Sequence, residues 1–161
     1  MPRARRQIEI LVVENNLGDA RLMEYAFQAA GLTKGFHSVG DGADALAYVR
    51  KEGKYADAAM PDLIVLDLSL PEISGLEVLQ VLKSTPSLMH IPVVVASGSD
   101  DPVRVEAVYA LHANCFVRKP LELDEFLRFI ALCYEFWGSV VTLDHKACEQ
   151  SEVGRLVPRV S

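Results

Sequence analysis

Two patterns of apolar and polar residues alternate along this chain. Five short runs of aliphatic residues each precede a segment whose apolar residues recur at helical spacing. The runs predict strands at residues 8–13, 35–39, 62–66, 92–96 and 115–117, and the periodic segments predict helices at residues 19–30, 41–52, 75–84, 102–111 and 122–134. The sequence therefore predicts five strand–helix units in succession.

Most of the predicted strands are aliphatic, which is typical of strands buried on both faces of a parallel sheet. A chain of 161 residues is too short for an eight-stranded barrel. We therefore expect an α/β fold with a doubly wound, open five-stranded parallel sheet in the order 2-1-3-4-5, a flavodoxin-like three-layer sandwich. One folded domain is expected at residues 8–143, between a flexible basic segment at 1–7 and a flexible tail at 144–161.

Composition narrows the class of protein further. Half of the residues are hydrophobic, 24% are charged and the formal net charge is −6, which indicates a globular protein without broad affinity for nucleic acid. No apolar run is long enough to cross a membrane, and none resembles a signal peptide, so we expect a cytoplasmic location. The three cysteines lack metal-binding spacing and are expected to be reduced thiols: Cys115, Cys133 and Cys148.

Polar residues of a particular kind stand where the predicted strands end. The first strand ends at Glu14–Asn15, the third at Asp67, the fourth at Ser97 and the fifth at Lys119. In the order 2-1-3-4-5 these four strands are neighbours, so their carboxyl ends meet at one cleft. Carboxylate and amide oxygens suit Mg²⁺, while a hydroxyl and an ammonium group suit phosphoryl oxygens. Asp67, at the centre, would be a nucleophile that forms an acyl phosphate.

Each of these residues also has a purely structural interpretation. Asp67 could cap the loop that follows it, and Ser97 could belong to an ordinary turn. Lys119 could be a solvated lysine ahead of a helix-initiating proline, and Glu14–Asn15 could belong to the cap of the first helix. Because all of them fall at successive strand ends in the right order, the functional interpretation is favoured.

The chain resembles the receiver domains of two-component response regulators over about residues 8–137. The matching segments are ILVVENN, LIVLDLSLPEISGLEVL, IPVVVASGSDD and HANCFVRKP, at residues 10–16, 63–79, 91–101 and 112–120. The intervals of 30 residues from Asp67 to Ser97 and of 22 residues from Ser97 to Lys119 also fit that family. The resemblance implies a CheY-like fold and a phosphoprotein that catalyses at most its own phosphorylation and dephosphorylation.

The resemblance implies a role for each matching residue. Asp67 is expected to accept a phosphoryl group from a histidine kinase in the presence of Mg²⁺, with Ser97 at the hydroxyl switch position and Lys119 as the family's lysine. The expected metal ligands are Glu14, Asn15, Asp67 and the backbone carbonyl of Ser69. The resemblance also implies that Phe116 is the switch aromatic and that Ser69 and Ser99 tune the lifetime of the acyl phosphate. It implies a cis-proline junction at Pro120.

A narrower likeness concerns the stand-alone receivers that are paired with phytochrome-type histidine kinases. It depends on RKEGKYADAAMPDL at residues 50–63 and FWGSVVTL at residues 136–143. We expect no effector domain after the receiver, so the output would be contact with a downstream protein that the sequence does not identify. The resemblance also implies homodimerisation through the surface formed by residues 102–137.

The first strand end departs from the family pattern. Receivers usually carry two acidic residues there, whereas this chain has Glu14 followed by Asn15. The amide oxygen of Asn15 can coordinate a metal but carries no charge, and a Coulomb balance predicts a loss of roughly 1–2 kcal/mol, or about tenfold in Mg²⁺ affinity. A pseudo-receiver that binds its partners without phosphorylation is therefore an alternative.

A second alternative comes from another class, the hydrolases of the haloacid-dehalogenase type with an aspartyl nucleophile. That family has a second acid two residues after the nucleophile, where this chain has Ser69. Nucleotide-binding enzymes are disfavoured too, because the sequence has no GxxxxGK[ST] motif and no GxGxxG after the first strand. A phosphorylatable receiver is the leading hypothesis.

Overall fold

The computed structural model describes residues 7–143 of the chain. The predicted tail at 144–161, with Cys148, lies outside the described residues, as does the predicted basic segment apart from Gln7. Within the described range five strands alternate with five α-helices: β1 Ile10–Val13, α1 Leu17–Ala29, β2 Phe36–Val39, α2 Gly42–Val49, β3 Leu63–Asp67, α3 Gly75–Ser84, β4 Val93–Ser97, α4 Pro102–Ala110, β5 Cys115–Arg118 and α5 Leu123–Glu135.

The five strands form one parallel sheet in the order β2-β1-β3-β4-β5, which confirms the predicted topology. Because successive side chains of a strand point to opposite faces, the aliphatic strands supply two separate apolar cores. Helices α2, α3 and α4 cover one face of the sheet, and α1 and α5 cover the other. The result is the expected three-layer sandwich with β3 at its centre.

Several element boundaries differ from the predicted ones for local reasons. Helix α2 ends at Val49, three residues early, and Lys51 beyond it takes a left-handed conformation with a φ of 55°. A 3₁₀ turn at Gly53–Tyr55 and a π-helical turn at Phe136–Val140 are single turns too short to show a period in the sequence. None of the helices in residues 7–143 is long and apolar enough to cross a lipid bilayer.

Side chains cap the helices that leave the carboxyl edge of the sheet. The Oδ1 atom of Asn16 accepts a hydrogen bond of 3.0 Å from the Asp19 N–H, and Asp41 caps α2 in the same way at 2.7 Å. Helix α3 begins with a reciprocal capping box between Ser74 and Glu77. These caps fix the loops that follow the strands, and with them the position of each strand-end side chain.

Gly75, the first residue of α3, lies directly against the end of the central strand. A Cβ atom at this position would come within 2.3 Å of the Asp67 carbonyl oxygen and 2.5 Å of the Leu68 Cα. Those atoms are backbone and cannot move aside without shifting the strand end. Glycine therefore allows α3 to pack closely against the residue that ends β3.

Replacing Gly75 with alanine is expected to lower the free energy of unfolding by about 2–3 kcal/mol, because the added methyl group forces α3 away from β3. Urea denaturation measures this loss. Gly40→Ala is the matched control, since a Cβ at Gly40 would meet no atom within 4 Å and its φ lies outside the left-handed region. Losses of equal size in the two variants would contradict the close-approach argument.

Candidate functional site

A cavity of about 440 Å³ opens at the carboxyl edge of the sheet. The loops after β1, β3, β4 and β5 form it, together with the first turns of α1 and α5, as expected for this topology. Acidic, amide and basic groups line one side and apolar groups the other: Glu14, Asn15, Asn16, Asp19, Leu22, Asp67, Ser69, Gly98, Lys119, Pro120, Leu121 and Phe126.

The ammonium group of Lys119 stands among three carboxylates in this cavity. Its Nζ atom donates to Oδ2 of Asp67 at 3.0 Å, lies 3.4 Å from Oδ2 of Asp19, and forms a short hydrogen bond with Oε2 of Glu14. The Glu14 side chain is 1% exposed, that of Asp67 8% and that of Lys119 12%. Three carboxylates and one ammonium give the cluster a formal charge of −2, which suits a further cation.

Burial and pairing have opposite effects on these groups. Burial raises the pKa of the Glu14 carboxyl above its usual range, although Lys119 and the Asn16 N–H partly offset the effect. For the ammonium of Lys119, burial alone would lower the pKa, but the hydrogen bonds and charges of Glu14 and Asp67 together raise it. Lys119 is therefore a fixed positive charge at neutral pH.

Both carboxylate oxygens of Asp67 are held in place. Oδ1 accepts a hydrogen bond of 2.9 Å from the Ser69 N–H, and Oδ2 accepts from Lys119. Asp67 is the last residue of β3, pairs with Ala96 of β4, and is backed by the close approach of Gly75. The carboxylate is thereby directed into the cavity by backbone contacts on three sides.

The donor atoms in the cavity suit a hard divalent cation. The carboxylates of Glu14 and Asp67, the amide oxygen of Asn15 and the backbone oxygen of Ser69 belong to residues that line it together. A positive group, the Lys119 ammonium, already lies among the carboxylates. Within residues 7–143, however, no three Asp, Glu, His or Cys side chains are arranged as a ready-made metal site. Oxygen atoms of other kinds, from Asn15, Ser69 and water, would complete the coordination.

Ser97 and Ser99 lie beside this cluster rather than in it. Ser97 is the last residue of β4 and is 1% exposed, and its hydroxyl accepts a long hydrogen bond of 3.4 Å from the Ser99 N–H. Gly98, between them, lines the cavity. The backbone oxygen of Ser97 accepts a 2.7 Å hydrogen bond from the Lys119 N–H, which links the ends of β4 and β5.

Phe116 lies outside the cavity. It is half-buried on the face of the sheet that α4 covers. Its backbone N–H donates a hydrogen bond of 3.1 Å to the hydroxyl of Tyr109 on α4. The side chain of Phe116 has no polar group, so packing alone determines its position.

The peptide bond between Lys119 and Pro120 is trans, since no cis bond occurs among the described residues. The predicted cis-proline junction is therefore wrong for this structure. Trans is the isomer that an X–Pro bond prefers, by about 0.5–1 kcal/mol, unless packing imposes the other. Lys119 reaches both Glu14 and Asp67 with the bond in the trans form.

Several residues of the cavity are absent from the sequence-based prediction. Asp19 is the most important of them, because it contacts Lys119. In the sequence it is recognisable only as an acidic residue in the first turn of the helix after β1. Leu22, Leu121 and Phe126 supply the apolar side. Leucine and phenylalanine at helical spacing indicate core packing, so the sequence does not distinguish them from other apolar residues.

The family is established by comparison with known proteins. The response regulator receiver domain profile matches residues 10–131. Response regulator Rcp1 of Synechocystis sp. is 36% identical over 134 residues, which are 83% of this chain and 91% of Rcp1. The chain therefore belongs to the response regulator receiver domain family, and the hydrolase alternative is excluded.

Two solved structures resemble this one closely. The phosphorylated cyanobacterial phytochrome response regulator RcpA is 42% identical with a TM-score of 0.82, over 85% of this chain and 98% of RcpA. The Mn²⁺-bound form of Rcp1 is 35% identical with a TM-score of 0.80, over 85% of this chain and 99% of Rcp1. The fold and the family of this chain agree with those of these two response regulators.

Replacing Lys119 with methionine is expected to lower the free energy of unfolding by about 2–4 kcal/mol in magnesium-free buffer, because it leaves two buried carboxylates without their cation. Urea denaturation at neutral pH measures the change. Lys54→Met is the matched control: its ammonium lies 3.7 Å from Asp44 with 70% of the side chain exposed, so its loss should have little effect. Similar losses in the two variants would show that the buried cluster contributes no more than a surface pair.

Proposed function

We propose that this receiver domain accepts a phosphoryl group on Asp67 from the phosphohistidine of a histidine kinase, with Mg²⁺ as the required cofactor. The observation that carries the proposal is the buried carboxylate of Asp67, which ends the central strand and contacts the ammonium of Lys119 at 3.0 Å. A carboxylate oxygen would form the new bond to phosphorus while the bond from phosphorus to the kinase imidazole breaks. The leaving imidazole nitrogen would take up a proton from solvent, so the products would be an acyl phosphate and a neutral histidine.

The other residues of the cavity have defined parts in this reaction. Mg²⁺ would neutralise phosphoryl oxygens, and Glu14, Asn15, Asp67 and the carbonyl of Ser69 are the groups that would hold it. Lys119 would move from the carboxylates toward the phosphoryl oxygens, a short step because its ammonium already touches Asp67. The hydroxyl of Ser97 would donate to the phosphoryl group as the switch residue.

Three further positions complete the proposal. Ser69 and Ser99 are exposed on the loops after β3 and β4, where their side chains would influence access of water to the acyl phosphate and hence its lifetime. Phe116 would respond to the movement of Ser97 through the packing between β5 and α4. The hydrogen bond from the Phe116 N–H to Tyr109 connects that packing to the helix.

Phosphotransfer with the variant Asp67→Asn tests the proposal directly. With acetyl phosphate or an active histidine kinase and millimolar MgCl₂, the unaltered chain should gain one phosphoryl group by intact-mass spectrometry, and Asp67→Asn should gain none. Asp62→Asn is the control, because Asp62 precedes β3 and its Oδ2 accepts from the Glu9 N–H, away from the cavity. If the unaltered chain takes up no phosphoryl group from an active kinase, the pseudo-receiver alternative is correct.

A phytochrome-type histidine kinase is the proposed phosphoryl donor, and the output would be contact with a downstream protein. The similarity to RcpA, a cyanobacterial phytochrome response regulator, supports the choice of kinase. Homodimerisation is proposed through residues 102–137. Five large apolar side chains of α4, α5 and the π-helical turn are exposed on this surface by 48% to 74%: Val103, Tyr109, Leu123, Leu132 and Phe136.

Replacing Leu132 with glutamate should weaken self-association, because it places a charge in the apolar part of that surface. Sedimentation velocity over a range of concentrations, with and without acetyl phosphate, measures the dimer fraction. Met89→Glu is the control, since Met89 is 53% exposed but lies outside residues 102–137. A purely monomeric unaltered chain in both conditions would refute the dimer.

A further inference from the structure

Asp19 makes an unexpected contact in the cavity. Its Oδ2 atom lies 3.4 Å from Nζ of Lys119, the same ammonium that Glu14 and Asp67 contact. Three carboxylates from the end of β1, the first turn of α1 and the end of β3 are thus directed at one cation. Only two of the three were expected from the family pattern.

The position of Asp19 follows from the way α1 begins. Asn16 caps the helix by accepting from the Asp19 N–H, which places Asp19 in the first turn. The turn brings its carboxylate beside the cavity, where it lies together with Asn15. A negative charge is therefore present close to the position at which this chain lacks one.

We infer that Asp19 supplies to the metal site the negative charge that Asn15 lacks, and that it acts through an intervening water molecule. This inference depends on the magnesium site of the proposed function. A water-mediated role agrees with two observations. The Asp19 side chain is 39% exposed, and no three acidic side chains in the described range form a ready-made ligand set. Mg²⁺ commonly keeps several of its waters in proteins, and carboxylates bind those waters from the second layer.

A merely structural role for Asp19 makes a different prediction. If Asp19 only held Lys119 in place, it would keep the ammonium where it competes with Mg²⁺ for the carboxylates of Glu14 and Asp67. Removing the Asp19 charge would then leave the Mg²⁺ affinity unchanged or increase it. If Asp19 supplies charge to the metal, removing it lowers the affinity. Moving the same charge to position 15 then restores the affinity.

A set of charge variants of the full chain tests the inference. The variants are Asp19→Asn, Asp19→Glu, Asn15→Asp and the double variant Asn15→Asp/Asp19→Asn, with Glu24→Gln as the control. Glu24 is an exposed acidic residue of the same helix and does not line the cavity. MgCl₂ is titrated at constant ionic strength, and the amide NMR shifts of Ser69 and Gly98 give the dissociation constant without any phosphorylation.

Asp19→Asn is expected to weaken Mg²⁺ binding roughly fivefold, and Asn15→Asp to tighten it about tenfold. The double variant should bind at least as tightly as the unaltered chain, because the charge has moved to a direct ligand position. Asp19→Glu keeps the charge and should stay within about twofold of the unaltered chain, as should Glu24→Gln at constant ionic strength.

The outcomes separate this inference from the proposed function. If the unaltered chain binds Mg²⁺ and Asp19→Asn binds it equally or more tightly, Asp19 has no role at the metal and the proposed function stands. An equal loss in Glu24→Gln would also overturn the inference, because the effect would then be one of net charge. If the unaltered chain shows no saturable shift, the metal site itself is wrong and the inference falls with it.

Discussion

The shared ammonium of Lys119 is the contact on which the rest of the site depends. It joins β5 to carboxylates that are 105 and 52 residues away along the chain, at the ends of β1 and β3. Glu14 and Asp67 are too deeply buried for water to stabilise their charges as it would in solution. The two buried carboxylates are therefore tolerated at the edge of the core because Lys119 lies between them, and the buried ammonium is tolerated because both carboxylates accept from it. The contacts of Lys119 with Glu14 and Asp67, which would serve phosphoryl transfer, therefore also stabilise the folded state.

The parallel sheet explains why this cluster lies where it does. The three inner strands β1, β3 and β4 are buried along their whole length, so a charged side chain can be accommodated on them only where a strand ends. Asp67 ends the central strand, and Gly75 lets α3 begin directly against its carbonyl oxygen. The Ser69 N–H then fixes one carboxylate oxygen and leaves the other for Lys119. Backbone packing, more than side-chain choice, gives Asp67 its orientation.

The sequence predicts the sheet order and most of the site because these features depend on regular βα units. The change from aliphatic to polar residues marks the ends of β1, β3, β4 and β5, and the topology alone brings those ends together. Asp19 is different, since its contact with Lys119 depends on how α1 crosses the sheet, which no residue pattern records. The isomer of the Lys119–Pro120 bond is different again, because less than about 1 kcal/mol separates the two forms and local packing decides between them.

The structure on the two sides of Asp67 is held in place with unequal strength. On one side, Glu14, Lys119 and Asp67 form a buried ionic cluster with short contacts. On the other, the Ser97 hydroxyl has a single long hydrogen bond of 3.4 Å, and α4 has only Val108 fully buried, the fewest of the described α-helices. Displacing the β4–α4 side would therefore cost less free energy than displacing the ionic side. A new anionic group on Asp67 would find the ammonium of Lys119 already in contact on one side and, on the other, a hydroxyl held by one long hydrogen bond. The larger structural response would therefore occur at β4, α4 and the adjoining Phe116.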